Sequence, residues 1–361
     1  MTTPHRAGRA LHETRKIAGT AAMTGVVLSM GALVSMPLSA TADVPRTSRA
    51  TADVATHSQA VSAAAQKKVL AYWTPRRIAA VTEPVTGQRP VKGPDGAPWT
   101  RQNHVTKTVG RLFFTDHGED SSCTATVVAS ANRSTVATAA HCVNNTNLLG
   151  EDNRWATNVM FVPGYHDGRA PYGKYTGRMA VTAATWLKND QQQEKFGKYD
   201  QAFVVLNHGP RGQRLQTVVG AAQKIGFNRP GSARVYQFGY PRAASDPARE
   251  GLPEYTGARL AYCTGEAKQA LSTADVSIAK GLWGTKCVMG GGASGGPRIS
   301  ALNVRSGLGT VVGVNTEGGY LDRASNHCGY APAAGCTRHL IGPQFTKSIT
   351  EPLYKRAARG F

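Results

Sequence analysis

A chain of 361 residues with 41% hydrophobic composition can bury one large core or two modest ones without depending on covalent staples. Its formal net charge of +20 comes from Lys and Arg scattered along the chain, with no basic run interleaved with aromatics, so no nucleic-acid partner is expected. The charge is a general surface property, consistent at most with weak adhesion to anionic polymers.

Arg6, Arg9, Arg15 and Lys16 precede an uncharged stretch from Ile17 to Ala42, and Ala40-Thr41-Ala42 has the small-x-small form of a cleavage site. This is the layout of a secretory signal over residues 1–42, with Asp43 as the first residue after cleavage. A retained anchor is the competing reading, because the stretch is long enough to span a bilayer. Gly, Ser and Thr dilute its apolarity and Pro37 interrupts it, so the expected product is extracellular, without stable membrane insertion.

Residues 43–104 are rich in Ala, Thr, Ser and Val, and Pro84, Pro90, Pro94 and Pro98 punctuate the second half. Only Ser58 to Tyr72 has the pattern of a short helix, and the segment as a whole is expected to be a propeptide or linker, largely irregular. From residue 105 to 361 the pattern changes. Val109–Phe114, Cys123–Val128, Ser134–Thr138, Val159–Val162, Met179–Ala183, Ala202–Leu206, Ala233–Phe238, Leu260–Cys263 and Thr310–Asn315 are short β-branched and aromatic runs between turn formers. Closely spaced strands without intervening helical patterns predict an all-β domain, and only Pro343 to Arg359 predicts a helix at the end.

Three motifs in this domain carry chemistry. Thr138-Ala139-Ala140-His141-Cys142 sets a histidine where a strand runs out into a loop. An isolated histidine is more often structural, and a His-Cys pair suggests a metal, but no second cluster stands at metal-site spacing. Asp200 directly precedes the apolar run Ala202–Leu206, where an acid is either a solvated turn residue or a group drawn beneath a histidine to fix its tautomer. Ser294 stands in Met289-Gly290-Gly291-Gly292-Ala293-Ser294-Gly295-Gly296-Pro297. Such a run is usually a surface loop, yet glycine backbone can also turn sharply enough to aim the N–H groups of Gly292 and Ser294 at one oxyanion.

Taken together, in the order His, Asp, Ser, these motifs resemble those of the chymotrypsin-like (trypsin-fold) serine proteases, in the secreted bacterial branch related to the glutamyl endopeptidases. The resemblance implies two antiparallel six-stranded β-barrels with a C-terminal α-helix, His141 and Asp200 coming from the first barrel and Ser294 from the second. It implies a secreted, monomeric serine endopeptidase acting on polypeptides through an acyl-enzyme, with a His141-Asp200-Ser294 triad, an oxyanion hole at Gly292 and Ser294, and neither metal nor cofactor. It pairs Cys142 with Cys123; by proximity, Cys263 would pair with Cys287 and Cys328 with Cys336. Asn315, Thr316 and Glu317 are expected to line the specificity pocket, with the Thr316 hydroxyl donating to Asp200. Glu317 either favours Lys and Arg side chains or points to solvent. Asn315 stands about where the glutamyl relatives place a histidine, which counts against glutamyl specificity.

One departure concerns activation. Trypsin-like zymogens carry an aspartate before the nucleophile to receive a newly cut N-terminus, and this chain has Ala293. The oxyanion loop must be ordered by other means, and residues Asp43 to Asn103 are expected to act as a folding aid or a cleft blocker. Two alternatives stay open: an esterase or cell-wall peptide hydrolase on the same fold, and a catalytically inactive basic binding protein.

Overall fold

The computed structural model describes residues 53–87, 95–147, 150–188, 194–209, 211–271 and 279–360. The expected signal segment lies outside these residues. Within the stretch expected to be largely irregular, the described residues 53–87 and 95–104 carry regular elements. They include strand β1 (Val54–Ser58), helices α1 (Ala63–Tyr72) and α2 (Pro75–Ala80) and strand β2 (Asp95–Pro98). Ser62 and Thr74 cap the helices, each side chain accepting a backbone N–H of the first turn, at Ala65 and Arg77. Few apolar residues do the anchoring. Trp73 is buried against Phe113, its Nε1–H donating to the Asn158 carbonyl at 2.6 Å, while Tyr72 and Arg77 both hold Asp120.

The next strands are β3 (Val109–Asp116), β4 (Glu119–Val127), β5 (Thr135–Thr138), β6 (Thr157–Pro163), β7 (Tyr175–Ala183) and β8 (Ala202–Leu206). They pair antiparallel in a closed ring, β3 with β4, β4 with β5, β5 with β8, β8 with β7, β7 with β6 and β6 with β3. Strand β1 adds to β7 from outside the ring. Successive side chains of a strand face opposite ways, and here both faces are covered. Leu112 and Phe114 join one buried cluster with Val136, Phe161 and Val204, while Phe113 joins a second with Val181, Phe203 and Val205. Burial on both faces explains why these strands are apolar runs rather than alternations.

The second half contains β9 (Arg234–Gly239), β10 (Ala261–Glu266), β11 (Trp283–Lys286), β12 (Pro297–Asn303), β13 (Leu308–Val314), β14 (Glu317–Leu321) and β15 (Thr337–Gly342). Among the described residues the strand pairings of this half fall into two sheets, and a second closed ring is not found among them. One runs β13-β12-β9-β10-β2 with a short edge strand at Lys224–Ile225, and the other joins β11, β15 and β14 with an edge at Lys268–Gln269. Strand β2 pairs with the first part of β10, and just beyond β10 Lys268–Gln269 pairs with β11. The all-β class stands.

Helix α3 (Thr350–Ala358) ends the fold, shorter than the stretch expected from sequence. Leu353 and Ala357 enter the same cluster as Phe203 and Val205, and the Thr350 hydroxyl donates to Gln201 Oε1 at 2.6 Å. The helix therefore pins the chain immediately after Asp200. No helix among the described residues is long and apolar enough to cross a membrane.

Candidate active site

The pairing of β5 with β8 builds the first half of the site. Ala202 stands opposite Thr138, so the residues that lead into β8 lie beside those that leave β5. Beyond Thr138 the chain turns through a 3-10 helix, Ala140–Cys142, and Cys142 is bonded to Cys123 in β4, 19 positions back. A loop of that size gains about 3 kcal/mol from its crosslink in the chain-entropy model. His141 is thus held from both sides. Its Nδ1 lies 2.8 Å from Asp200 Oδ2, and its backbone N–H donates to Asp200 Oδ1 at 2.9 Å. With both carboxylate oxygens accepting from one residue, Nδ1 carries the proton and Nε2 is left as the basic nitrogen.

The two side chains differ in exposure, 26% for His141 and 1% for Asp200. Burial works against a charged imidazole, but the Asp200 charge and hydrogen bond outweigh it and hold His141 above its ordinary value of 6.5. Cys123 and Cys142 lie within reach of His141 as a metal-like group, yet their sulfurs are joined in a disulfide and offer no thiolate.

The second half is the turn that carries Ser294. Gly292 and Gly295 both have positive φ, +94° and +75°. A Cβ at Gly295 would stand 2.1 Å from Thr138 Oγ1, so only glycine lets the serine loop approach the end of β5. Thr124, next to Cys123 in β4, fastens the loop twice, its N–H donating to the Ser294 carbonyl and its Oγ1–H to the Gly292 carbonyl, each at 2.8 Å. The same small piece of β4 thereby positions His141 through the disulfide and Ser294 through Thr124. Among the described residues the N–H groups of Gly292 and Ser294 donate to no protein acceptor. The Ser294 hydroxyl donates to the Thr316 carbonyl at 3.3 Å and makes no hydrogen bond to His141.

The three residues expected in the specificity pocket have separate fates. Asn315 is fully buried, its Nδ2 donating to the carbonyls of Phe238 (3.0 Å) and Ala293 (3.1 Å) and its Oδ1 accepting from Gln237. Every polar atom of this side chain is committed to the serine loop and to β9, so it offers nothing to a substrate. Among the described residues Thr316 Oγ1 is buried without a hydrogen-bond partner, and the expected donation to Asp200 is absent. Glu317 does reach the cleft, a space of about 250 Å³ that it lines with His141, Asn145, Trp186, Asp200, Thr316 and Tyr330. The Tyr330 hydroxyl donates to its Oε2 at 3.1 Å, and among the described residues its Oε1 has no partner. Burial, with the Asp200 charge adding, pushes the Glu317 carboxyl up to about 7, against the pull of Tyr330 and His141.

Several participants escape a motif search. Thr124, the clamp role of Asn315, Trp186 and Tyr330 all act across long sequence distances. For Tyr330 a signal existed, since it lies inside the small loop closed by Cys328–Cys336. Cys263–Cys287 is also formed and joins β10 to the chain just after β11.

No family model and no curated protein sequence matches this chain. Solved structures do. A thermostable serine protease, AL20, from an extremophilic microorganism aligns with 72% of this chain and 100% of its own at 28% identity and a TM-score of 0.55. The protease Anisep from Arthrobacter nicotinovorans aligns with 70% of this chain and 95% of its own at 31% identity and a TM-score of 0.54.

Proposed function

The chain belongs to the bacterial chymotrypsin-like serine proteases, and from that premise we propose that it is a secreted endopeptidase working through a His141-Asp200-Ser294 triad. The observation that carries the reading is the Asp200 carboxylate, buried and accepting both the ring and the backbone N–H of His141, beside a glycine-bound serine. A serine hydroxyl needs a base and an oxyanion site, and the groups proposed for these are His141 and the N–H groups of Gly292 and Ser294.

In the proposed reaction a peptide carbonyl enters over Ser294. His141 Nε2 takes the hydroxyl proton as Oγ attacks, and Asp200 stabilises the imidazolium that results. The N–H groups of Gly292 and Ser294 receive the oxyanion. Collapse of the tetrahedral adduct expels the amine, which takes the proton from His141, and water releases the acyl-enzyme by the same sequence in reverse. The Ser294 rotamer directed at the Thr316 carbonyl is a resting arrangement, since the hydrogen bonds of catalysis tighten when substrate is bound.

Export is supported by the basic start, the uncharged stretch and the Ala40-Thr41-Ala42 site, together with three disulfides and no free cysteine among the described residues. The direct test is digestion of an unfolded protein substrate by the secreted chain beside Ser294→Ala. Fragments released only by the unaltered chain are expected; equal digestion by both, or by neither, defeats the reading.

A further inference from the structure

Ala293 offers no carboxylate to an inserted N-terminus, so the oxyanion loop must be held in another way. The loop leans on the chain that follows β9. Gly290 N–H donates to the Ala243 carbonyl (2.9 Å), Arg242 N–H to Gly291 (2.6 Å) and Ser245 N–H to Val288 (3.0 Å). Gly292 itself packs so closely there that a Cβ would stand 2.5 Å from the Tyr240 carbonyl. Residues 240–257 form a long excursion between β9 and β10 with only short 3-10 turns of its own, and such a loop does not rigidify a neighbour unless it is itself held.

What holds it is the N-terminal segment. Glu83 N–H donates to the Thr256 carbonyl, and the N–H groups of Thr86 and Gly87 both donate to Gly251, each at 3.0 Å. Farther on, the Tyr255 hydroxyl donates to the Gly96 carbonyl at 2.8 Å, β2 pairs with β10, and Asp95 meets Lys286 at 2.9 Å. The start of the segment is fixed to the first barrel by Arg111, fully buried, which donates to the Val81 carbonyl, to Thr82 Oγ1 (2.8 Å) and to Ser122 Oγ (3.0 Å). None of residues 53–87 or 95–99 lines the cleft around His141 and Glu317, so among the described residues the segment supports the site without covering it.

We propose that residues 81–87 and 95–98 are a permanent positioning strap for the oxyanion loop, doing from within the chain what a freed N-terminus does in trypsin-like zymogens. The inference rests on the endopeptidase reading and concerns how that same site is kept competent. It follows that maturation can cut only upstream of the strap.

The contact at Gly251 gives a selective way in. Its φ is +71°, and a Cβ there would stand 1.9 Å from Thr86 Oγ1. Gly251→Ala is expected to lower kcat on a peptide amide at least tenfold with KM changed less than twofold, because the groups that bind the substrate backbone are left in place. Thr86→Ala in that background removes the hydroxyl from the collision and is expected to return several-fold of the loss. Arg77→Ala, which breaks the contact with Asp120 upstream of the strap, is expected to leave kcat unchanged. Full kcat in Gly251→Ala, or a loss that Thr86→Ala does not relieve, overturns the strap. The N-terminus of the active secreted protein, read by intact mass, needs no variant to fold. A start upstream of residue 81 is expected, and an active form that begins after Gly87 overturns the proposal. Wild-type protein with no turnover at all would instead defeat the endopeptidase reading, and the two failures are told apart by that arm.

Discussion

The two halves of the site are held in different ways. His141 and Asp200 are placed by one strand pair, β5 with β8, by a disulfide closing 19 positions and by a bond to each carboxylate oxygen. Ser294 sits on a turn whose supports come from Thr124 in β4, Asn315 after β13 and the excursion 240–257, which the N-terminal segment holds in turn. One half is a product of local strand geometry, while the other is assembled from pieces that stand between 22 and 168 positions from their partners in the serine loop. The first should therefore tolerate change outside its own strands, and the second should be sensitive to substitutions far from the chemistry.

Removing one group from each half should have the largest effects. Ser294→Ala should reduce kcat about 10⁴–10⁶-fold, leaving only the enhancement due to substrate binding and the oxyanion donors. Asp200→Asn should cost about 10⁴-fold at neutral pH, because an amide does not hold the Nδ1–H tautomer. The pH profile gives that variant a second readout. In the proposed mechanism His141 acts as a base only when neutral, and it is held above its ordinary value of 6.5, so the acid limb of kcat/KM should lie above that pH and move down in Asp200→Asn.

A smaller loss is expected at Thr124→Val. It keeps the shape and the backbone donation to Ser294 but removes the hydroxyl that serves the Gly292 carbonyl and accepts from Tyr240 N–H. A buried hydrogen bond of this kind is worth about 1–3 kcal/mol, so kcat should fall roughly ten- to a hundredfold while KM stays near its original value. Steady-state kinetics on a peptide amide checks it. An equal loss from kcat and from stability alone would mean that Thr124 supports the barrel rather than the serine loop.

The smallest effect concerns Glu317 and is one of stability. Its carboxyl is pushed up to about 7 from 4.5, so between these values the native state binds a proton that the unfolded chain has released. Its folded form is favoured below pH 4.5 and the contribution is lost as pH rises through about 7. Glu317→Gln removes the titration and should stabilise the protein at pH 8 relative to pH 5 by roughly 1–3 kcal/mol. Denaturant unfolding at the two pH values measures it.

The same division decides what the sequence discloses. Ala202–Leu206 is a strand in both the sequence pattern and the structure, because five apolar residues buried on both faces have little alternative. His141 and Asp200 lie at the ends of such strands and are legible for that reason. Ser294 announces itself by its glycines, but the partners of its loop do not. Asn315 looks like a pocket residue from its position after β13 and proves to be a clamp, which depends on Phe238 and Ala293 lying across from it. Asp95–Pro98 has the composition of a turn, with Gly and Pro among four residues, and becomes a strand because β10 offers it a free edge. The segment 53–87 reads as linker because its apolar residues are mostly Ala and Val with little sustained periodicity, and Trp73, Ile78 and a few hydrogen bonds are enough to seat it. Strands β11, β14 and β15 carry Gly, Lys or His where strong strand formers would stand, and pairing with one another makes them strands.

In the proposed mechanism Ser294 is a nucleophile activated by His141 and Asp200. Intact-mass analysis of the purified protein before and after a fluorophosphonate, beside a Ser294→Ala control, tests it in one experiment. A single adduct on the unaltered chain and none on the control is the predicted result. No adduct on the processed protein, or one that persists in Ser294→Ala, would contradict it.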